Sequence, residues 1–495
     1  MQTRHRTSPR QPVLESLSGY PVLAMTAALT ACAAGPDFQP PPAPPTEHYT
    51  PSQQPDATAA APGRSGAAQH FISGADVPTH WWESFQCAAL NSLVEQALQH
   101  SPTVLEARAR LREAQEDLAA QTGRTTYPTV DAQLGITRQK VDPTAFGIPN
   151  VPAAPPFTLY NAQLNVTYTL DLFGANRRLL EGLRAQTAYQ SFETQAAELT
   201  LAANVVATAI RAADLQSQLD STAQMLATQT RQLAVTEDRY RAGGVALVDL
   251  QNQRTQLEQL RATLPPLQAA RAQIEHQLAV YTGKSPAEAA ALPPFTLDDL
   301  ELPTDLPLTL PSNLVKHRPD VQASEALWHQ ASANVGLATA NLFPNLTLSG
   351  SAGSERTHPS DLVDSLNVWS IGAKLMQPIF HGGELRAQKR SAAAAYQAAA
   401  QVYEQTVLES LQQVADGLRI LQADALVLNA RAAASEQTAA TYTIAQQRFE
   451  QGGISELSLL EAKRQHLQTQ LDRNHAEAQR LADTAALLHA LAGPV

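Results

Sequence analysis

The chain holds little of what sites of chemistry are made from. Its 495 residues include two cysteines, four methionines and 5% aromatics, and only 16% are charged against the ordinary quarter. Cys32 and Cys87 cannot build a disulfide framework and offer too few thiolates for a zinc site. So few methionines argue against a carrier of copper or silver on thioether ligands. Lysine and arginine total 35 against 46 acidic residues, a formal net charge of −11, which leaves no basic face for nucleic-acid phosphates. No 18 apolar residues run together, so hydropathy writes no transmembrane helix. It says nothing against a membrane β-barrel, whose alternating strands barely register on such scales. There is no phosphate loop, zincin helix or nucleophile elbow. His317, His329, His381, His466, His475 and His489 are scattered rather than spaced as ligands, and His381, beside Gly382-Gly383, reads as structural. Neither an enzyme nor a metal centre is expected.

What is present begins at the N-terminus. Arg4, Arg6 and Arg10 precede a short apolar run, Tyr20 to Ala31, that ends in Leu29-Thr30-Ala31-Cys32. Small residues before a cysteine are what a signal peptidase accepts. The run resembles a bacterial lipobox, in which residues 1–31 are removed and Cys32 is acylated as the first mature residue; a buried cysteine in a chance small-residue stretch is the alternative. Cys87 is then unpaired and expected to be a half-buried small residue. From Gly35 to about Ser73 the chain is rich in Pro, Ala and Ser, which reads as an extended surface arm (32–75) that forms no core. A second Pro-rich stretch, 285–311, separates two halves, 76–284 and 312–495.

The halves repeat each other. Arg239-Tyr240-Arg241-Ala242-Gly243-Gly244-Val245 matches Arg448-Phe449-Glu450-Gln451-Gly452-Gly453-Ile454 at an offset of 209 residues. Tyr127-Pro128 matches Phe343-Pro344 at 216, Leu172-Phe173 matches Ile379-Phe380 at 207, and Ser101-Pro102 pairs with Arg318-Pro319 at 217. Four anchors in one order read as a domain-sized duplication.

Each half opens with a helix whose first turn carries Pro102 or Pro319, where the missing N–H is not needed. Two period-two strands follow, about 128–138 and 159–172 in the first half and about 344–353 and 368–378 in the second, with a loop between them at Gln139 to Phe157 and at Ser354 to Asn367. Ten alternating residues is the length of a tilted bilayer-crossing strand. From Leu183 to Ala242 there are 60 residues without Gly or Pro, roughly 90 Å of helix if unbroken. Phe192, Ala196, Leu199, Ala203, Val206, Ile210 and Ala213 form a heptad seam on it. The second half has a matching seam from Tyr396 to Leu428, with a stutter at Val407 to Leu411. Gly243-Gly244 and Gly452-Gly453 end these helices, because glycine takes the left-handed conformation a C-cap needs. A return helix follows each tip. Pro265-Pro266 is expected to kink or break the first.

Four amphipathic strands cannot enclose water, and lipid does not tolerate their open edges. Three copies would supply twelve strands, an even number of the kind outer-membrane barrels use, although this arithmetic admits other multiples.

Several motifs carry a family resemblance: Gly35-Pro36-Asp37-Phe38-Gln39-Pro40, Trp81-Trp82-Glu83-Ser84-Phe85, Tyr168-Thr169-Leu170-Asp171-Leu172-Phe173-Gly174, Arg239 to Val245, Leu310-Pro311-Ser312-Asn313-Leu314, Arg318-Pro319-Asp320-Val321 and Phe343-Pro344. With the duplication, they make the chain resemble the TolC-like outer-membrane efflux channels, in the NodT or OprM-like lipoprotein branch, from Cys32 to Gly493. The resemblance implies a mostly α fold with a small β part. It implies a homotrimer whose 12-stranded barrel spans the outer membrane of a Gram-negative bacterium and continues as a periplasmic α-barrel of antiparallel coiled-coil helices. The partners implied are a periplasmic membrane-fusion adaptor and an inner-membrane pump, often of the resistance-nodulation-division type. No cofactor is implied beyond the lipid, palmitate included, on Cys32. The function implied is passive conduction of drugs or toxic small molecules. A channel for protein or peptide (type I) secretion and a lipid-anchored coiled-coil scaffold remain as alternatives.

The resemblance also places Gly243, Gly244, Gly452 and Gly453 at periplasmic tips that dock the adaptor, and a gate nearby. One acidic gate position falls on Glu461, which keeps its carboxylate; the other falls on Ser458, which has none. A gate tyrosine falls on Phe449, which lacks the hydroxyl, and its acceptor falls on Asp249. Glu461 from three chains is expected to form a cation-sensitive constriction.

Overall fold

The structure is a computed structural model that describes residues 34–42, 46, 48–51, 55–147, 152 and 155–493. The stretch expected as a signal peptide, 1–31, and the expected lipidation site Cys32 lie outside the described residues. Within them the elements run β1 (His70–Ser73), α1 (Ala88–His100), α2 (Pro102–Thr126), β2 (Thr129–Gln139), β3 (Phe157–Leu170), α3 (Ala175–Arg241), α4 (Leu247–Tyr281), β4 (Asp305–Leu308), α5 (Pro311–His317), α6 (Pro319–Ala340), β5 (Asn345–Arg356), β6 (Val368–Met376), α7 (Glu384–Glu450) and α8 (Glu456–Leu491). The order helix, strand, strand, 67-residue helix, shorter helix occurs twice.

The chain divides into two compact units. One comprises Glu116–Ala185 and His329–Gln397 with the described residues up to Gln39. It carries an antiparallel sheet of order β2-β3-β5-β6. Register puts most large apolar side chains of the sheet on one face: Val130, Leu134 and Ile136 of β2, Leu164 and Val166 of β3, Leu346 and Leu348 of β5, Trp369, Ile371 and Leu375 of β6. The other face holds Asp131, Gln133, Gln163, Asn165, Thr167, Ser349, Ser351, Ser370 and Lys374. The apolar face is uncovered, with Leu134 81% and Ile371 84% exposed. β5 runs into the stretch expected as loop, because Gly353 to Arg356 stay paired with Gln163 to Tyr160.

In the same unit the Gly-Pro-Asp-Phe run is docked rather than free. The Ala34 amide donates to the Phe173 carbonyl at 3.0 Å, just beyond the end of β3. Asp37 pairs with the nearly buried Arg178 at 2.7 Å, and Phe38 stacks on His329 with ring centroids 4.5 Å apart. Arg178 also pairs with Glu181. The first long helix starts at Ala175, eight residues before the glycine-free run. A single interior glycine costs only about 1 kcal/mol, and Gly182 faces Ala333 of α6 at a distance where a Cβ would make ordinary contact.

The other unit comprises Pro40–Gln115, Gln186–Trp328 and Ala398–Val495. Side-chain bonds set its helix order. α3 meets α4 through Gln229–Gln253 and Arg254–Glu237. It meets α8 through Arg231–Glu456 and Asn474–Ser217, and α8 meets α7 through Arg431–Asp472 and Thr438–Thr469. α3 and α8 are therefore the inner pair of a row α4-α3-α8-α7. An 18-residue window of α3 reaches a mean hydropathy of 1.2, so by length and composition this helix could cross a membrane, contrary to the hydropathy reading. Half of that window is buried within the chain. Leu201, Ala202, Val205 and Ala209 join Leu199, Val206, Ile210 and Ala213 in the core, so the helix is wrapped more widely than one seam. Trp81, Trp82 and Phe85 are packed in the same core, and Cys87 is free and buried there.

Three expectations are corrected in this unit. α4 runs unbroken through Pro265 and Pro266. The carbonyls these prolines leave without donors belong to Arg261 and Ala262, which are exposed and face water. The N-terminal arm is not merely a surface strap: β1 pairs in parallel with β4 of the Pro-rich linker. Within that linker Phe295, Leu300, Leu302 and Leu306 enter the core. The arm also encloses Arg480 of α8, whose guanidinium is fully buried. Arg480 donates to the carbonyls of Ser65 and Ala67 at 3.0 and 2.9 Å, to Thr58 Oγ1 at 2.9 Å and to Gln69 Oε1 at 3.2 Å. Gln69 in turn donates to Thr484 and to the Pro303 carbonyl. The Arg318-Pro319-Asp320-Val321 motif acts similarly: Arg318 is forked onto Asp320 and reaches the Ala490 carbonyl and Gln413, tying the start of α6 to the end of α8 and to α7.

Arg480→Met leaves the Ser65 and Ala67 carbonyls and Gln69 Oε1 without their donor, while Thr58 Oγ1 keeps the Gln69 amide, and it is expected to destabilise the arm's docking by about 3 kcal/mol or more. Limited proteolysis should then cut between Thr58 and Gln69, where the native chain resists.

Candidate functional site

The two glycine tips share one backbone. Gly243 and Gly452 both take φ of 73°, in the left-handed region. The Gly243 and Gly244 amides donate to the Tyr240 and Arg239 carbonyls at 3.0 and 2.8 Å. The Gly452 and Gly453 amides donate to the Phe449 and Arg448 carbonyls at 2.9 and 2.7 Å. These bonds satisfy the last carbonyls of α3 and α7 and turn the chain within a few residues. Nothing lies within 4 Å of where a Cβ on either left-handed glycine would sit, and both tips are exposed in the chain.

The first turns after the tips differ. At α4, Asp249 Oδ2 accepts the Ala246 amide at 3.2 Å, as an acidic residue at that position of a helix start does. At α8 the roles are reversed: Ser455 caps the helix by accepting the Ser458 amide at 3.2 Å. Asp249 and Ser458 are thus held locally. Phe449, in the last turn of α7, stays exposed. Glu461, one turn beyond Ser458, is bonded to Arg464, whose Nε lies 3.1 Å from its Oε2. Hydrogen bonds from Arg464, its nearby charge and a bond from Gln232 of α3 hold the Glu461 carboxyl below its ordinary pKa. Of the gate residues expected from sequence, the structure brings Asp249 to the first turn of α4 and Ser458 and Glu461 to the start of α8. It adds Arg464, which the sequence reading missed although it lies one helical turn from Glu461.

A second acidic site was also missed. Asp424 of α7 faces Asp483 of α8. Asp424 Oδ2 is buried without a donor, while Asp483 Oδ2 accepts from Gln479 at 2.8 Å. Two carboxylates can only accept, so a proton on one converts their contact into a hydrogen bond. Burial, then the Asp483 hydrogen bond and charge, push Asp424 up to about 7, against the opposing charge of Arg480. Asp424 also lines a hollow of about 360 Å³ with Arg431, Asp472 and His475. In the sequence Asp424 sits beside seam positions Leu421 and Ala425, and only the partner on α8 reveals it. His381, at the β6–α7 junction, uses its backbone carbonyl to accept the Glu384 amide. Among the described residues no group of three or more His, Cys, Asp or Glu is placed to hold a metal.

A carboxyl whose pKa is raised on folding binds its proton more tightly in the folded chain. Its contribution therefore favours folding at low pH and is lost as pH rises from about 4 through about 7. Asp424→Asn should raise the thermal midpoint near about pH 8 and flatten its pH dependence above about pH 5, measured by melting in detergent.

Against known proteins, the outer membrane efflux protein family matches residues 93–284 and 310–493. The pyoverdine export outer membrane protein OpmQ of Pseudomonas aeruginosa is 28% identical over 83% of this chain and 87% of its own length. The toluene efflux pump outer membrane protein TtgF of Pseudomonas putida is 27% identical over 96% of each chain. Among solved structures, the outer-membrane channel OprN superposes with a TM-score of 0.77 at 28% identity, over 93% of this chain and 99% of that one. VceC of Vibrio cholerae gives 0.74 at 26% identity, over 84% and 99%. A match that takes in most of both halves, with likeness to relatives and channel structures over nearly their whole length, means that the chain belongs to the outer membrane efflux protein family.

Proposed function

We propose that this chain is the outer-membrane exit duct of a tripartite efflux system, passively conducting small molecules delivered by an inner-membrane pump. The observation that carries it is the sheet with one apolar, uncovered face, one polar face and two open edges, β2 and β6. Such a sheet suits lipid only if its edges pair with further copies into a closed barrel. Three copies give twelve strands around a polar lumen, and the repeated element order supports a tandem duplication as the origin of the two halves. The lipid on Cys32 is part of this reading, since Ala34, two residues on, is bonded beside the end of β3, where a membrane anchor belongs. The open tips at Gly243-Gly244 and Gly452-Gly453, with exposed Leu247 and Val248 beside the first, support docking of a periplasmic adaptor that recruits a pump of the resistance-nodulation-division type. Relatives named for a pyoverdine and for toluene point to small molecules as the cargo class.

The purified chain should form discrete pores in liposomes, and its deletion should sensitise the host to antibiotics, dyes or aromatic solvents. Absence of pores would leave a scaffold. Pores with unchanged susceptibility and a lost secreted protein would mark a secretion duct instead.

Glu461 belongs to the periplasmic constriction in this reading, and Arg464 tempers it. Glu461→Gln should weaken divalent-cation block in single-channel recordings, and Arg464→Gln, which unpairs the carboxylate, should strengthen it. Unchanged block in both variants removes Glu461 from the gate.

A further inference from the structure

The apolar face of the four-stranded sheet is not uniform along its length. It is made by every second residue from Val130 to Arg138 on β2, Thr158 to Leu170 on β3, Leu346 to Arg356 on β5 and Trp369 to Leu375 on β6. Only two residues of this set are charged, Arg138 and Arg356. They are the last positions of β2 and β5 on this face, so both lie at the hairpin-loop end of the sheet. β5 reaches Arg356 only because it runs on past the expected strand end. At the other end β3 and β6 lead into α3 and α7 and the Ala34 amide is docked; there the face carries Val130, Leu170, Leu346 and Leu375 and no charge. From Val130 to Arg138 and from Leu346 to Arg356 the strands rise roughly 27 and 34 Å, or roughly 20 to 26 Å of height at a tilt of about 40°, which is the height of the apolar band of an outer-membrane barrel. The two cations therefore mark one boundary of that band.

We propose that Arg138 and Arg356 form a seat on the lipid-facing rim for the phosphates of the outer-leaflet glycolipid, a diphosphorylated glucosamine headgroup. This rests on the exit-duct reading, in which the end away from the helices faces outward, and adds a lipid partner to it. Register fixes the spacing: Arg138 lies opposite Thr158 and Arg356 opposite Tyr160, so the two stand two strands and two residues apart. That is roughly 12 Å between Cα atoms, a span that two long side chains close on one headgroup from either side. Guanidinium is suited to the task, since its planar fork takes two phosphate oxygens at once. Both groups have donors to give. Arg138 is exposed, and among the described residues no carboxylate pairs with it. Arg356 uses only Nη2, donating to Ser365 Oγ at 2.9 Å and to its carbonyl at 3.4 Å, which leaves Nε and Nη1 for a ligand. Three acids of this end are engaged elsewhere: Glu355, on the polar face, accepts from Gln163, and Asp142 and Asp361 accept from Thr144 and Ser360 of their own loops. A chain with a net charge of −11 thus presents only cations on its lipid face, and only at the outer boundary. Phospholipid at the opposite boundary meets no cation on this face.

The test titrates the native chain and a double variant, Arg138→Gln with Arg356→Gln, with diphosphoryl lipid A in detergent and counts bound lipid by native mass spectrometry. The native chain should bind about tenfold more tightly or better, because a hydrogen bond to a charged group is worth about that factor or more. Lipid A stripped of its phosphates should bind the native chain no better than diphosphoryl lipid A binds the variant. An equal concentration of phosphatidylglycerol or of inorganic phosphate should not displace the bound lipid. The proposal is overturned if the variant binds diphosphoryl lipid A as the native chain does, or if removing the phosphates costs no affinity. It is also overturned if phosphatidylglycerol competes equally, which marks a site for any acidic lipid, or if inorganic phosphate does, which marks a site for the free anion. Pore formation in liposomes is measured alongside and should be the same for both chains, which shows the variant folded. Pores without lipid preference remove this seat and leave the duct reading standing, whereas no pores from either chain remove the duct reading and the seat with it.

Discussion

Unpaired backbone at the two edges of a one-faced sheet is the constraint on which this molecule turns. Each N–H and C=O left at β2 and β6 needs a partner that hydrocarbon cannot supply. The apolar face excludes water as the solvent for that side, and the polar face excludes lipid on the other. No rearrangement within four strands satisfies both, so the sheet is complete only as a segment of something larger. The docked Ala34–Phe38 run lies in the same unit, held beside the end of β3 by the Phe173 carbonyl and by Arg178.

The helical unit meets a different demand. Four long helices packed in a row leave large surfaces open, so stability has to be concentrated. Small side chains on α3 let its neighbours approach from several sides. Arg480 does the corresponding work for the polar segments: one planar cation with five donors serves four acceptors on an arm too poor in apolar residues to pack alone. The acidic pair between α7 and α8 is the opposite case, a contact with a proton too few near neutral pH. The tips combine both features. Their backbones are nearly identical, because two glycines allow one turn, while Asp249 and Ser455 cap the following helices by different chemistry.

Much of this was legible in the chain itself. Alternation located the four strands of the sheet, because a strand with one wet and one apolar face must repeat every second residue. Uninterrupted stretches without Gly or Pro located the long helices, and the paired glycines their ends. The errors came where local propensity was overruled. α3 begins at Ala175, ahead of the glycine-free run, because one interior glycine costs a helix only about 1 kcal/mol. Pro265-Pro266 do not break α4, because their freed carbonyls reach water. The Pro-rich arm and linker looked structureless, yet each supplies a strand and buried groups to a core assembled from residues hundreds of positions apart. Glu461, expected at a gate, is paired with Arg464, which the sequence reading did not name because its side chain could equally have pointed to solvent.

Sequence alone determined the periods: which segments alternate, which wind for many turns, where glycine permits a reversal, and that the series occurs twice. These are local properties, set by bonding and side-chain geometry within a few residues. The tertiary structure decided which faces meet and which charges are paired. Arg480 against the arm, Asp424 against Asp483 and Phe173 against Phe343 depend on contacts across the fold that no local pattern encodes. It also decided what remains unpaired, and the outer edges of β2 and β6 are left in that state because the only other strands among the described residues, β1 and β4, pair with each other in a separate sheet.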